Sequence, residues 1–368
     1  MVIDELALTF VPNLGSRGIS HLMGIYSSGA EEVYAQPEYN LVLCAELRQD
    51  IAACIAQKAG YKEAERELLY CEKHGITITS YNDEKYPHLL REVPDRPHVI
   101  YSVGDLAALE SPHILSVVGT RRISPYGESV CAKVIPELAE MFPDLVVVSG
   151  LAFGIDAAAH RAALAAGVRT VGVIANKLPD VTPAQHRNLA KDMLDHGGAI
   201  ITELHSQTKQ NGTYYIPRNR IIAGVADGLL VVESPSNGGS LSTAKAADAY
   251  SRTIMAVPGR ITDSRSEGTN HLIKSNVAQL VTSARDMADA LGWEVPGAMP
   301  EKVRFEPHQI NPKERVVYNI IADNTDGLML DVIAEKAALS VSEVSAILLN
   351  MELSGLVRQL PGKIYVIC

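Results

Sequence analysis

The sequence predicts an α/β protein with a doubly wound parallel sheet, preceded by a helical region and followed by a small segment of three helices and a hairpin. Two observations carry this. Between Ile114 and Leu291 short apolar runs alternate with stretches of helical periodicity, the pattern of strands buried on both faces and joined by helical crossovers. Polar, glycine-rich sequence follows those runs, at Gly119-Thr120-Arg121, Ser149-Gly150, Ala175-Asn176-Lys177, Glu203-Leu204-His205, Glu233-Ser234-Pro235 and Pro258-Gly259-Arg260. In such sheets ligands sit beyond the carboxyl ends of the strands.

Length and composition bound the rest. A chain of 368 residues suits two or three domains, and its 47% hydrophobic content supplies their cores. The net charge of -10 is uneven: residues 1–111 hold 9 Lys+Arg against 17 Asp+Glu, residues 112–292 hold 17 against 16, and residues 293–368 hold 7 against 10. The acidity lies on the flanks, leaving the middle free to gather cations on one face. Five scattered cysteines (Cys44, Cys54, Cys71, Cys131, Cys368) form no CxxC and read as reduced thiols. Asp4 and Glu5 stand where a signal peptide carries positive charge. No apolar run approaches the ~20 residues of a membrane span. A cytoplasmic protein without membrane attachment is the expectation.

Residues 1–75 read as helices. Leu6, Phe10, Leu14, Leu22 and Ile25 recur at near-helical spacing around the Pro12–Gly18 turn, which suits either a plain helical bundle or a helix-hairpin-helix. Glu46 to Lys73 predicts one amphipathic helix with Ile51, Ile55, Ala59 and Leu69 on one face. Ile76–Thr79 and His98–Tyr101 predict strands leading into the main domain, 76–292. That domain's strands are expected at Ile114–Val118, Leu145–Val148, Thr170–Ile174, Ala199–Thr202, Leu229–Val232, Ile254–Val257 and Gln279–Val281, and its helices at Tyr126–Met141, Ile155–Ala166, Ala184–His196 and Leu241–Tyr250. A linker over 293–311 carries Pro296, Pro300 and Pro307. Beyond it, 312–368 predicts a winged helix, with helices at Val316–Ile321, Val332–Ala337 and Val341–Leu353 and a hairpin from Gly355 onward. Its candidate recognition helix lacks Lys and Arg, and phosphate binding needs cations, so contact with protein or self-packing is expected there.

The chemistry gathers at helix entrances. Leu115–Gly127 runs from a strand through Gly119 and two arginines into a helix, a place to hold phosphate with backbone amides, a helix dipole and a guanidinium fork. Gly119 does not open a GxGxxG, and no GK[ST] P-loop is present, so no nucleotide cofactor is expected. Ser149–Asp156, Pro217–Gly224 and Gly238–Ala244 are further entrances of the same kind. Several anion-capable helix starts on one sheet edge suit a row of phosphates, that is, a nucleic-acid backbone. Asp156 and His160, four apart on a helix, allow metal ligation or helix capping. Glu203 and Glu233 near strand ends leave metal-assisted phosphodiester chemistry open.

Six motifs, VVGTRR…S..YG (Val117–Gly127), SGLAFGIDAAAH (Ser149–His160), PRNRIIAG (Pro217–Gly224), VVESPSNGGSLSTA (Val231–Ala244), VPG (Val257–Gly259) and GTNHLIK (Gly268–Lys274), stand in one order. In that order they resemble the DNA-processing protein A family, DprA/Smf. The resemblance covers about Ile76 to Leu291; the helical N-terminus is similar to the sterile-alpha-motif-like region of many members, and the C-terminal segment to their winged helix. It implies an extended Rossmann-type sheet and a non-catalytic protein that binds single-stranded DNA, protects incoming strands in natural transformation and loads the recombinase RecA. It also implies a homodimer formed through the Rossmann-type domain, with no cofactor or metal.

Carried over by motif, Arg121 grips backbone phosphate and Gly119, Thr120, Ser149 and Gly150 wall the pocket. Arg218, Asn219 and Arg220 line it, and Gly238, Gly239 and Ser240 offer amides. Where the family has Gly-x-Gly-x-Asp…Tyr-Pro, this chain has Ala175–Pro179…Thr182-Pro183, and Lys177 or Arg187 is the candidate replacement cation. Tyr126, Phe153 and Tyr214 are candidate stacking partners for bases. Two other classes of function stand beside this one. Nucleotide phosphoribohydrolases carry PGGxGTxxE on related folds, but here Lys245 takes the place of the catalytic Glu and Leu241 that of a glycine. An adaptor acting through its acidic flanks is the other.

Overall fold

The structure is a computed structural model and describes residues 2–209, 212–295, 311–324, 327–353, 356–360 and 363–367. The chain forms two compact units, 1–296 and 297–368. Most of the proline-bearing 293–311 stretch, together with Gly355 and Cys368, lies outside the described residues.

Nine strands form the main sheet: β1 (Thr77–Ser80), β2 (Val99–Gly104), β3 (Ile114–Val118), β4 (Val146–Ser149), β5 (Arg169–Val173), β6 (Ala199–Thr202), β7 (Gly228–Val231), β8 (Thr253–Ala256) and β9 (Gln279–Leu280). Their spatial order is β1-β2-β6-β5-β4-β3-β7-β8-β9. Pairing from β6 through to β9 is parallel, while β2 joins β6, and β1 joins β2, antiparallel. Every predicted strand is present within one or two residues at most ends. The chain lays down β3 to β6 in one direction, then returns to the other side of β3 with β7. That reversal is the topological switch point, where ligands of open α/β sheets bind.

Alternation along β3 divides the core. Leu115 and Val117 pack with Cys131, Ile135 and Leu138 of the Pro125–Met141 helix and with Ile155 and Ala159 of the Ile155–Ala165 helix. Ile114 and Val118 join Ile221 and Ile222 of the Tyr215–Gly224 helix and Ala244 of the Ser240–Ala249 helix. Helices thus cover both faces, as continuous apolar strands require. A third cluster joins Leu6, Leu22, Leu41 and Ile55 of the N-terminal helices to Val99, Tyr101 and Ile200 of the sheet.

Two expected helices are each divided. The single helix over Glu46–Lys73 is two, Gln49–Ala56 and Tyr61–His74, and Leu69 is 67% exposed. The break lies at Gly60, whose φ of +95° is left-handed and whose missing side chain admits the Ala7 carbonyl; a Cβ there would sit 2.1 Å from that oxygen. Close passage of the first helix, Val2–Thr9, therefore forces the interruption. Ala184–His196 is likewise a short 3₁₀ turn, Ala184–His186, followed by the Arg187–Asp195 helix.

Glu5 ties this region to the strand ends. Its carboxylate accepts from the Ala30 amide at 3.2 Å and Asn82 Nδ2 at 2.9 Å, and pairs with buried His98. Burial pushes the Glu5 carboxyl up, but the bonds to and charge of His98, with Ala30 and Asn82, outweigh it and hold the group below the ordinary value of 4.5. A carboxyl held low in the folded state stabilises that state above the unfolded value and loses the contribution as pH falls through the folded one. Stability is therefore expected to drop as pH falls from about 4.5, and less steeply in Glu5→Gln. Urea midpoints across that range check this; parallel curves for the two proteins would rule Glu5 out as the source.

The C-terminal unit has helices Pro312–Ala322, Leu330–Ala337 and Val341–Leu353 around Val317, Ile333 and Leu348. Its strands β10 (Leu328–Met329), β11 (Val357–Leu360) and β12 (Ile364–Ile367) pair antiparallel in the order β10-β12-β11. This is the winged-helix arrangement of three helices and a hairpin.

Candidate nucleic-acid interface

A cavity of about 600 Å³ opens beyond the carboxyl ends of β3 and β7, at the switch point. Val118 to Arg122 form one wall. Pro235, Gly238–Ser240 and Thr243 form another, and Tyr215, Ile216, Arg218 and Asn219 line it from the Tyr215–Gly224 helix.

Arg218 lies at the base and is only 5% exposed. Its Nη1 donates to the Gly150 carbonyl at 2.9 Å and to that of Val173, and Nε donates to Asn219 Oδ1 at 3.2 Å. Asp156 supplies the opposing charge. Burial pushes the Arg218 guanidinium down to about 10, with Asp156 acting against it, so the group remains cationic at neutral pH. Burial also pushes the Asp156 carboxyl up, opposed by Arg218 and by the Ala152 amide. Gly150 is glycine because this pair needs its space: a Cβ would lie 2.6 Å from Asp156 Oδ2 and 2.7 Å from Arg218 Nη2.

The Gly119 turn is built on a second buried carboxylate. Glu233, 1% exposed, accepts from the Ser124 amide at 3.0 Å and from the Ser124 hydroxyl. Ser124 Oγ in turn accepts from the Gly127 amide at 3.1 Å and caps the Pro125–Met141 helix. A carboxylate at a helix start is the favourable sign for the dipole, so this entrance already holds its anion. Gly119 and Gly127 let Glu233 approach: their Cβ atoms would lie 2.8 Å from its carbonyl and 2.5 Å from its Oε2.

What faces the cavity is cationic. Arg121 and Arg122 are exposed and, among the described residues, their side chains have no hydrogen-bond or ion-pair partner. The Arg121 guanidinium carbon lies 4.7 Å from the centre of the Tyr215 ring, a cation–π contact that holds the charge at the rim without neutralising it. Across the cavity the Ser240–Ala249 helix begins after Gly239 with no side-chain cap. Asn219 Nδ2 fixes that turn by donating to the Gly239 carbonyl at 3.3 Å and Ser242 Oγ at 2.9 Å. An arginine rim facing an uncapped helix start suits a phosphate.

The structure brings Gly119, Thr120, Arg121, Arg218, Asn219, Gly238, Gly239 and Ser240 around this one cavity. Ser149 lies beneath it, fully buried, donating to the Val117 carbonyl at 2.6 Å. Arg220 pairs with Glu203 instead of facing the cavity. Lys177 and Arg187 are not among its lining residues, and neither are Tyr126, Phe153 or Tyr214. The lining residues outside the six motifs are Gly212, Tyr215 and Ile216, and Arg122 lies within a motif without having been given a role. Their signal was position, since Tyr215-Ile216 directly precede Pro217-Arg218 and Arg122 follows Arg121. Asp156 and His160 have separate partners: Asp156 faces Arg218, while His160 Nδ1 bonds Thr170 Oγ1 at 2.7 Å, and burial lowers its imidazole to about 3. Among the described residues no group of three or more His, Cys, Asp or Glu is placed to hold a metal.

The family model for DNA recombination-mediator protein A matches residues 77–292, more than half of the chain. The chain belongs to the DprA/Smf family. A second model, the DprA winged helix domain, matches residues 306–363. Protein Smf of Escherichia coli K12 is 35% identical over 308 residues, 82% of this chain and 80% of that one. DNA processing protein DprA of Streptococcus pneumoniae is 38% identical over 205 residues, covering 56% and 71%. Among solved structures, that of DprA from Streptococcus pneumoniae superposes with a TM-score of 0.67 at 29% identity, covering 78% of this chain and 97% of the other. DprA from Helicobacter pylori, whose structure is described as showing a unique single-stranded DNA binding mode, gives 0.53 at 25% identity, covering 59% and 96%. The two family models together span the sheet region and the winged helix. No helix among the described residues is long and apolar enough to cross a membrane.

Proposed function

We propose that this chain binds single-stranded DNA, without sequence preference, across the cavity at the switch point. In this reading it is a non-catalytic cytoplasmic homodimer, joined through the Rossmann-type domain, that protects incoming strands in natural transformation and hands them to a RecA-type recombinase. The observation that carries the binding is the unpaired Arg121–Arg122 rim facing the uncapped Gly238–Ser240 turn. Arg121 holds phosphate, Gly239 and Ser240 offer amides, and Tyr215 and Ile216 offer apolar surface to a base. Arg218 serves from below, holding Gly150 and Asp156 in place. The non-catalytic part is supported by the fate of the carboxylates: Asp156 faces Arg218, Glu203 pairs with Arg220, and Glu233 accepts from the helix-capping Ser124. None of the three is left to act as base or metal ligand, and Lys245, in the place of a hydrolase's glutamate, is exposed.

Each phosphate contact on a single strand contributes about -0.7 to the log–log salt slope. Arg121→Ala is therefore expected to weaken binding of labelled oligonucleotides and to flatten that slope by about 0.7. Fluorescence anisotropy at several salt concentrations reads both, and an unchanged affinity and slope would sink the assignment.

A further inference from the structure

We infer that the strand continues past the cavity into a second cleft, where Arg260 takes a phosphate and Tyr126 meets a base. The inference rests on the proposed function, since it extends the same ligand. The cleft, of about 620 Å³, is lined by Ser124, Pro125 and Tyr126 at the start of the Pro125–Met141 helix and by Pro258, Arg260 and Arg265, among others. Arg260 is exposed, and among the described residues its side chain has no hydrogen-bond or ion-pair partner. Arg265 bonds Asp263 at 3.2 Å, which leaves the cleft with one positive charge in excess.

Apolar surface stands beside that charge. Tyr126 is 46% exposed while its hydroxyl donates to the Pro258 carbonyl at 2.8 Å, which anchors the phenol by its tip. Ile261, next to Arg260, is 94% exposed. A cation flanked by an anchored aromatic and an aliphatic side chain is the composition that single strands use, phosphate on the charge and base on the ring.

The loop that carries Arg260 is held at its base. Asn270 Oδ1 accepts from the Gly259 amide and Asn270 Nδ2 donates to its carbonyl, each at 3.1 Å. Ser266 occupies the space where a Gly259 side chain would stand, 1.9 Å from the Cβ position. The two sequence motifs that the first cavity does not use, Val257–Gly259 and Gly268–Lys274, thus fasten each other and present Arg260. The clefts are also close along the chain. Arg122 lines the first and Ser124 the second, at most about 7.6 Å apart by Cα spacing.

The test uses the full chain and fluorescent oligothymidylates of about four and about sixteen nucleotides. Arg260→Ala is expected to bind the long oligonucleotide about tenfold more weakly, with a salt slope flatter by about 0.7, and the short one as the parent does. Tyr126→Leu is expected to weaken the long one similarly, and Tyr126→Phe to retain it. Equal affinity of parent and Arg260→Ala for the long oligonucleotide, or equal losses at both lengths, would overturn the inference. If Arg121→Ala weakens both lengths while Arg260→Ala is silent, the cleft alone fails. A parent chain that binds neither length removes the proposed function and this extension together.

Discussion

Arg218→Met is expected to cost about 3–5 kcal/mol of stability, the range for leaving a buried charge uncompensated. The methionine fills the volume but strips two carbonyls, Gly150 and Val173, of their donor and leaves Asp156 without its counter-charge. The loss has a pH signature. Burial already raises the Asp156 carboxyl, and a carboxyl raised in the folded state costs stability as pH climbs above its unfolded value, 3.8. Without the arginine that cost grows. The variant is therefore expected to fall further behind the parent as pH rises above about 4, and Asp156→Asn added to it is expected to recover part of the loss. Urea midpoints for the parent, the single and the double variant measure this. A deficit under about 1 kcal/mol, or one that does not change with pH, would show that the buried pair is not what holds the cavity floor.

Gly154→Ala is the second large effect, and it falls on binding as well as on stability. Gly154 has φ +81°, and a Cβ there would lie 2.1 Å from the Thr120 carbonyl and 2.8 Å from Arg121 Cα. The Thr120 carbonyl also accepts from the Ile155 amide at 3.2 Å, so the two turns cannot separate without losing that bond. Strain of about 1–3 kcal/mol from the backbone conformation therefore adds to displacement of Arg121 from the rim. Gly167 is the control, with φ +73° and no atom within 4 Å of its would-be Cβ. Gly167→Ala is expected to lose about 1–2 kcal/mol and to bind oligonucleotides as the parent does. If Gly154→Ala matched it in both respects, close approach of the two turns would be irrelevant to the site.

The strands were legible because burial on both faces leaves an unbroken apolar signature, as at Ile114–Val118 and Ala199–Thr202. Their order was not, because periodicity says which residues are covered and nothing of which strand covers which. The antiparallel β1 and β2 and the location of the switch point came only with the fold. Glycine and arginine at helix entrances pointed to residues that the fold gathers around one cavity, at Gly119–Arg121 and Gly238–Ser240. They could not tell a cation that meets solvent from one that serves the interior. Arg121 and Arg218 look alike in sequence; one stands free at the rim, and the other is surrounded by carbonyls that long-range packing brings to it. Glu233 was visible only as an acid near a strand end, since its partner Ser124 lies 109 residues away. The helix break at Gly60 likewise depends on Ala7, far off in the chain.

Glu233 has one more consequence. Of the two helix starts at Ser124 and Gly239, the first holds the protein's own carboxylate. The Gly238–Ser240 turn, which lines the cavity, opens its helix with no side-chain cap and is the helix start offered to a polyanion there. Under the proposed function, a strand whose bases go unread would still be seated in a fixed phase, with each later phosphate counted from the one at that turn.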